Sequence, residues 1–206
     1  MKRLAILGAS GHGKVAADTA ECCGWQHIDF FDDAWPAVTS NGPWAVIGAT
    51  ADLLKRITDY SAVAVAIGNN RTRLLKLSEL RSAGAELVTL VHPSATVSRH
   101  ARVGDGAVLF AGAVVGACAE IGAGSILNTG CSVDHDCVLA SGVHISPGAH
   151  LAGGVKVGSC SWIGIGASVR QLVSIGENVV VGAGAAVIND VPDGFVVAGV
   201  PAKRIK

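Results

Sequence analysis

Aromatic residues are scarce in this chain: four Trp, four Phe and one Tyr among 206 residues, with a single Met. A core with so few large rings must be filled by Val, Ile, Leu and Ala, which calls for narrow, layered packing. Charge is also sparse and balanced, with 16 Lys+Arg against 16 Asp+Glu. That balance argues against broad binding of nucleic acid or an anionic membrane surface. The six cysteines, at 22, 23, 118, 131, 137 and 160, include no CxxC and no His at zinc-finger spacing. They suggest neither a disulfide framework nor a structural zinc site, and are expected as small buried side chains. A membrane-spanning run is missing as well. The uncharged stretch from Cys137 to Val155 contains His144, Pro147, His150, two Ser and four Gly, which hydrocarbon penalises. The apolar stretch after Lys2-Arg3 is too short for a signal peptide and runs into a glycine loop. A cytoplasmic protein without membrane insertion is expected.

Glycine, by contrast, is abundant at 27 residues, and the aliphatics are strictly ordered. From Val97 every sixth residue is Val103, Leu109, Val115, Ile121, Leu127, Val133, Leu139, Ile145, Leu151, Val157, Ile163, Val169, Ile175, Val181 and Val187. Two positions before each stands a small or β-branched residue, such as Ala113, Cys131, Cys137 or Val143. Glycine often follows the aliphatic, as at 104, 116, 122, 158, 164, 176 and 182. A six-residue period fits neither a heptad nor an amphipathic helix, but a short period-2 strand with one turn per hexad can keep it. The pattern resembles the hexapeptide repeats of left-handed parallel β-helices. The resemblance implies a triangular coil of about 18 residues, little more than five coils over residues 93–190, and trimeric association of the prisms. The repeated glycines are expected to supply backbone conformations closed to other residues.

Residues 1–92 read as a half-Rossmann α/β domain. The predicted order is strand Leu4–Leu7, loop Gly8–Gly13, helix Lys14–Cys23, and strand Ile28–Phe31 closed by Asp32-Asp33. Further strands are predicted at Trp44–Ile47 and Ala62–Ile67, with helices starting after Thr50 and Asn70 as N-caps. The junction falls at Val91-His92-Pro93, where proline disfavours helix continuation. The tail, 191–206, leaves the hexad register.

Two constellations suggest chemistry. Gly8, Gly11 and Gly13 before a helix, with Asp32 and Asp33 ending the next strand, suit a phosphate and a ribose or base. Half a Rossmann unit favours a mononucleotide-linked ligand over a dinucleotide. The second is Asp134-His135-Asp136 with His144 and His150. At 18 residues per coil, positions 135, 153 and 171 share one corner and 147, 165 and 183 another. An imidazole between two carboxylates suits a general base. The plain alternative is a solvated histidine on a coil face, and zinc, as in trimeric β-helices of the gamma carbonic anhydrase type, is the competing use. His144 lies half a coil from His135, so a site shared by the two would lie between subunits.

Several motifs occur in order: Ala5-Ile6-Leu7-Gly8-Ala9-Ser10-Gly11-His12-Gly13, Phe31-Asp32-Asp33, Ala66-Ile67-Gly68-Asn69-Asn70, Leu127-Asn128-Thr129, Val133-Asp134-His135-Asp136-Cys137 and Gly199-Val200-Pro201-Ala202-Lys203. Together they resemble the UDP-4-amino-sugar N-acetyltransferases of the bacillosamine pathway, with sialic acid O-acetyltransferases as close relatives. The resemblance implies acetyl-CoA as donor, no metal, and a nucleotide-linked amino sugar as acceptor. It implies His135 as general base, an acid after it that raises its basicity, and the Gly153 N–H as oxyanion donor. The family often has Glu where this chain has Asp136, one methylene shorter. It further implies His144, Gly153, Ile165 and Ala183 as acetyl-CoA contacts. Ser10, Gly11, His12, Asp32, Asp33 and Gly68 would form the nucleotide-sugar pocket, with Arg71 beside it. Lys203 and Arg204 are candidates for CoA phosphates. The expectation is direct N-acetyl transfer by a homotrimer; the alternatives are sialic acid O-acetylation, a metal-dependent lyase, and a binding module.

Overall fold

The computed structural model describes residues 2–206 and divides into two compact units, one ending at Pro93 and one beginning at Ser94. In the first unit β1 (Arg3–Leu7), α1 (Gly11–Cys22) and β2 (His27–Phe31) precede a hairpin of β3 (Ser40–Asn41) and β4 (Trp44–Ala45). Then come α2 (Thr50–Lys55), β5 (Ala62–Val65) and α3 (Asn70–Ser82). The main sheet is parallel, in the order β2-β1-β5. Leu4, Ala5, Ile6 and Leu7 are all buried, as expected of a central parallel strand covered on both faces. Small residues on α1, Ala16, Ala17 and Ala20, are buried, while Leu77 and Leu80 of α3 join Ala5, Leu7, Phe31 and Leu53 in one core cluster.

Three local expectations need correction. Helix α1 starts at Gly11 rather than Lys14, because Gly8 alone, at φ +109°, turns the chain out of β1. The N-caps of α2 and α3 are Ala49 and Asn69, one residue earlier than expected. The Asn69 side chain accepts from the Thr72 N–H at 3.0 Å, the third N–H of the first turn. Trp44–Ile47 is no full parallel strand. Gly42, at φ +70°, folds Trp44–Ala45 back on Ser40–Asn41, and only Val46 bridges to Phe30.

The second unit is a parallel β-helix. Thr96–Val97, Val114–Val115, Ser132–Val133, His150–Leu151, Ser168–Val169 and Ala186–Val187 stack into one sheet. Arg102–Val103 through Ser174–Ile175 make the second face, and Val108–Leu109 through Val180–Val181 run along the third. In every pair the second residue is the hexad aliphatic, and from Leu109 onward all of these are buried in one core with Ala113, Cys131, Cys137, Ala149 and Ala167. Each such aliphatic contributes about 1.5–3 kcal/mol by leaving water.

Two kinds of glycine serve this repeat, and the ones that follow the aliphatics are not the turn-formers. Their φ is not left-handed. A Cβ on Gly116 would sit 2.6 Å from the His135 backbone nitrogen, and one on Gly158 2.5 Å from that of Glu177. They are glycine because the next coil lies against them. The left-handed backbone comes three residues after the aliphatic, at every sixth position from Gly106 to Gly184, and there Cys118, Asp136, Cys160, Leu172 and Asn178 adopt it without being glycine.

The cysteines divide likewise. Cys131 and Cys137 fill core positions, Cys160 is half-buried, and Cys22, Cys23 and Cys118 are exposed, contrary to the expectation of burial throughout. The tail breaks the hexad register but stays in the β-helix. Val196–Val197 pairs in parallel with Val180–Val181, a 16-residue step where earlier coils take 18. In the shortened coil, carboxylates stand in for backbone acceptors: Asp190 takes the Ser174 N–H and Asp193 the Glu177 N–H, both at 2.8 Å. Lys203–Arg204 then returns antiparallel onto Val197–Ala198. Among the described residues no helix is long and apolar enough to cross a membrane.

Candidate active site

The corner after Ser132–Val133 carries His135. Coil stacking there is set by backbone bonds from Asp136 N–H to Ala117, Gly154 N–H to His135 and Leu172 N–H to Gly153, at 2.9–3.0 Å. Ala117, His135, Gly153 and Gln171 therefore line up one coil apart. The imidazole lies over Gly153 in the next coil. A Cβ on Gly153 would lie 2.5 Å from its Cε1 and 2.6 Å from Nε2.

Asp136 takes the left-handed turn at φ +58°, a conformation that Asp tolerates better than most residues. The turn carries its Oδ2 to 2.8 Å from His135 Nδ1, so the shorter side chain reaches the ring. A carboxylate only accepts, so Nδ1–H donates and the neutral ring keeps Nε2 as its basic nitrogen. Asp134 works differently, its Oδ1 accepting from the His135 backbone N–H at 2.8 Å. The hydrogen bond to Asp136, reinforced by the charge of Asp134, pushes the His135 pKa above the ordinary histidine value. Gly153 is buried, and among the described residues its N–H meets no hydrogen-bond partner.

His135, Asp136, Gly153, Gly154, Gln171 and Leu172 line an open cavity of about 300 Å³. Gly154 and Leu172 were not singled out from the sequence, and Gln171 was placed at the corner without a role. The signal was present: both missed residues are the next in chain after corner positions.

Other candidate residues lie elsewhere. His144 is on a different sheet, buried, and its ring stacks on Trp162 at 4.7 Å between centroids, with Nε2 3.4 Å from Asn128 Nδ2. Ile165 and Ala183 are exposed on a second corner below Pro147, tied by bonds from Gly166 N–H to Pro147 and Gly184 N–H to Ile165. His150 Nδ1 is 2.8 Å from Ser132 Oγ. Among the described residues no three His, Cys, Asp or Glu side chains converge as a metal-binding group.

In the α/β unit the strand order changes direction between β1 and β5, the usual place for a ligand in such sheets. The loop after β1 and the start of α1 carry Ser10, Gly11 and His12, and the loop after β5 and the start of α3 carry Gly68 and Arg71. Gly8 is required there, since a Cβ would meet the Ala66 carbonyl oxygen at 2.7 Å, whereas Gly11 and Gly68 border open space. Ser10 caps α1 without a side-chain bond, at the helix end that favours an anion. Asp32 pins the glycine loop, accepting from Ala9 N–H at 2.7 Å and Ala34 N–H at 2.9 Å. Asp33 accepts from Thr50 N–H at 2.9 Å, and that bond holds its pKa below the usual range. Burial, with the charge of Arg73, lowers the His12 pKa to about 4, so the ring is neutral at pH 7. Arg73 itself, not singled out from the sequence, is buried and donates to the carbonyls of Ile67 and Gly68 and to Asn70 Oδ1. It organises the loop after β5.

Residues 3–80 match the family described as the PglD N-terminal domain. The chain as a whole is 44% identical to the acetyltransferase domain of PglB from Neisseria gonorrhoeae, solved in complex with acetyl coenzyme A, with 99% of each chain covered and a TM-score of 0.95. This chain belongs to the PglB/PglD acetyltransferase family. Another member of known structure is PerB from Caulobacter crescentus, in complex with CoA and GDP-perosamine. It is 37% identical over 100% of this chain and 98% of that one, with a TM-score of 0.95. The UDP-N-acetylbacillosamine N-acetyltransferase of Bacillus subtilis is 38% identical over 114 residues, 54% of this chain and 52% of that protein. The match thus spans about half the length of that curated relative. For a PglB/PglD member, the β1–β5 switch point falls within the part that matches the family's N-terminal domain, and the His135 corner within the β-helix of the full-length likeness.

Proposed function

We propose that this chain is an acetyl-CoA-dependent N-acetyltransferase acting on the 4-amino group of a UDP-linked amino-deoxy sugar, with His135 as general base and direct transfer. One observation carries the reading: His135, oriented by Asp136, and Gly153, whose N–H has no partner among the described residues, line a single cavity. A base and an oxyanion donor beside one vacant volume are the parts acyl transfer needs.

In this mechanism Nε2 of His135 takes a proton from the sugar amine as its nitrogen attacks the thioester carbonyl. The carbonyl oxygen becomes an oxyanion and accepts from Gly153 N–H. Collapse restores the carbonyl, breaks the carbon–sulfur bond and expels CoA thiolate, which recovers the proton from the imidazolium. Asp136 keeps the tautomer and stabilises that cation. Among the described residues no Cys or Ser lines the cavity, which favours direct transfer over an acetyl-enzyme. The nucleotide would bind at the switch point of the α/β unit through Ser10, Gly11, His12, Asp33, Gly68 and Arg71, with Asp32 holding the loop. Trp162, Val180 and Ile165 are 40–57% exposed, which supports a homotrimer in which the 147/165/183 corner of one prism, with Gly153 and His144, lies along the donor's pantetheine arm. Lys203 and Arg204, both exposed, would meet CoA phosphates. Dependence on acetyl-CoA fits a cytoplasmic enzyme.

The test is incubation with acetyl-CoA and a panel of UDP- and GDP-linked 4-amino sugars, following free thiol and product mass. A single added acetyl on the amine supports the reading and names the acceptor. Activity on a sialic acid hydroxyl, with none on any amine, overturns it in favour of O-acetylation.

A further inference from the structure

Leu172 is the least expected residue in the β-helix. In its column the left-handed turn is taken by Cys118, Asp136 and Gly154 one coil apart, then by Leu172 at φ +63°. A leucine gains nothing from that conformation and loses free energy to it. Nor does burial offset the strain, because 77% of Leu172 is exposed. Strain held without a packing gain calls for a functional explanation.

Its side chain reaches back over the preceding coil, with Cδ2 2.7 Å from where a Cβ on Gly154 would sit. Any other residue at 154 would push the isobutyl group away. Among the described residues Leu172 is also the only aliphatic side chain lining the His135 cavity; the other walls are His135, Asp136, Gln171 and glycine backbone.

The following rests on the acetyl-transfer reading. The tetrahedral carbon carries four substituents: the oxyanion, the attacking nitrogen, the sulfur and the acyl alkyl group. The first is held at Gly153 N–H, and the second sheds its proton to Nε2 of His135. The third leaves along the pantetheine arm. The alkyl group needs an apolar wall, and the cavity has one. We propose that Leu172 is the acyl-selectivity residue, its isobutyl group packing on the acetyl methyl and closing the space that a longer chain would need.

The experiment compares kcat/KM for acetyl-, propionyl- and butyryl-CoA, with the acceptor found above, in wild type, Leu172→Gly and Leu172→Ala. Glycine relieves the turn strain, so Leu172→Gly keeps its thermal midpoint; alanine keeps the strain and removes the wall. The expected result is at least a tenfold fall in the acetyl-to-butyryl ratio in both variants. A ratio within twofold of wild type in both, with acetyl transfer intact, overturns the wall and leaves the transfer reading standing. Absence of acetyl transfer in wild type overturns both together.

Discussion

The His135 imidazole lies directly on Gly153, with its Nε2 2.6 Å from the point a Gly153 side chain would begin. Gly153 is itself buried, and among the described residues its N–H has no partner. Gly153→Ala should therefore tilt the base while leaving the donor in place. We expect kcat to fall about 100-fold, since small misplacements of a reacting group cost that much, with the KM for acetyl-CoA changed far less. Steady-state kinetics on the folded variant check this; an unchanged kcat contradicts the packing argument.

Asp136 raises the His135 pKa through its hydrogen bond. Protonated His135 cannot act as a base, so kcat/KM should rise with pH through a value above histidine's ordinary 6.5. Asp136→Asn keeps the left-handed turn but removes the charge. Its acid limb should move down toward 6.5, and the plateau rate should fall about 10- to 100-fold. A pH–rate profile with the limb unmoved contradicts the assignment.

His12 titrates in the opposite sense. Its folded pKa of about 4 lies below the ordinary 6.5, so the folded state favours the neutral ring. The stability it supports is complete above pH 6.5 and is lost as pH falls toward 4, on the order of 3 kcal/mol across that span. Denaturant midpoints of wild type should drop between pH 7.5 and 4.5, and His12→Gln should flatten that drop.

The two glycine classes make a stability test. Gly148, at φ +61°, faces open space, so Gly148→Ala costs only the left-handed penalty, about 1–2 kcal/mol. Gly158→Ala puts a methyl 2.5 Å from the Glu177 backbone nitrogen, where no side-chain rotation can relieve it, and should cost more, about 3 kcal/mol. Thermal midpoints should fall in that order; equal losses contradict the distinction.

The β-helix was legible because its signal is a sum. One aliphatic every six residues from Val97 to Val187 is a covalent count that nothing tertiary can shift. That count also placed His135 above Gly153 and Gln171. What it could not carry was direction. Glycine letters at 116 and 148 look alike, yet one is required by the neighbouring coil and the other by φ. The register does put Leu172, three residues after Val169, where glycine usually stands, but the direction of its side chain over the Gly154 coil is not in the count. Trp44–Ile47 has strand-like residues, but the Gly42 turn makes its first half a hairpin. Asp32 and Asp33 were recognised as acids closing a strand, and their bonds to Ala9, Ala34 and Thr50 depend on loops that composition does not define.

The most direct test sets wild type beside His135→Asn, each with acetyl-CoA and a UDP-linked 4-amino sugar, and weighs both sugar and protein by mass spectrometry. The account predicts one acetyl on the sugar amine with wild type, none retained on the protein, and a rate at least about 100-fold lower for the variant, as expected when a general base is lost. Undiminished acetylation by His135→Asn, or an acetylated protein that passes its acetyl to the sugar, would contradict it.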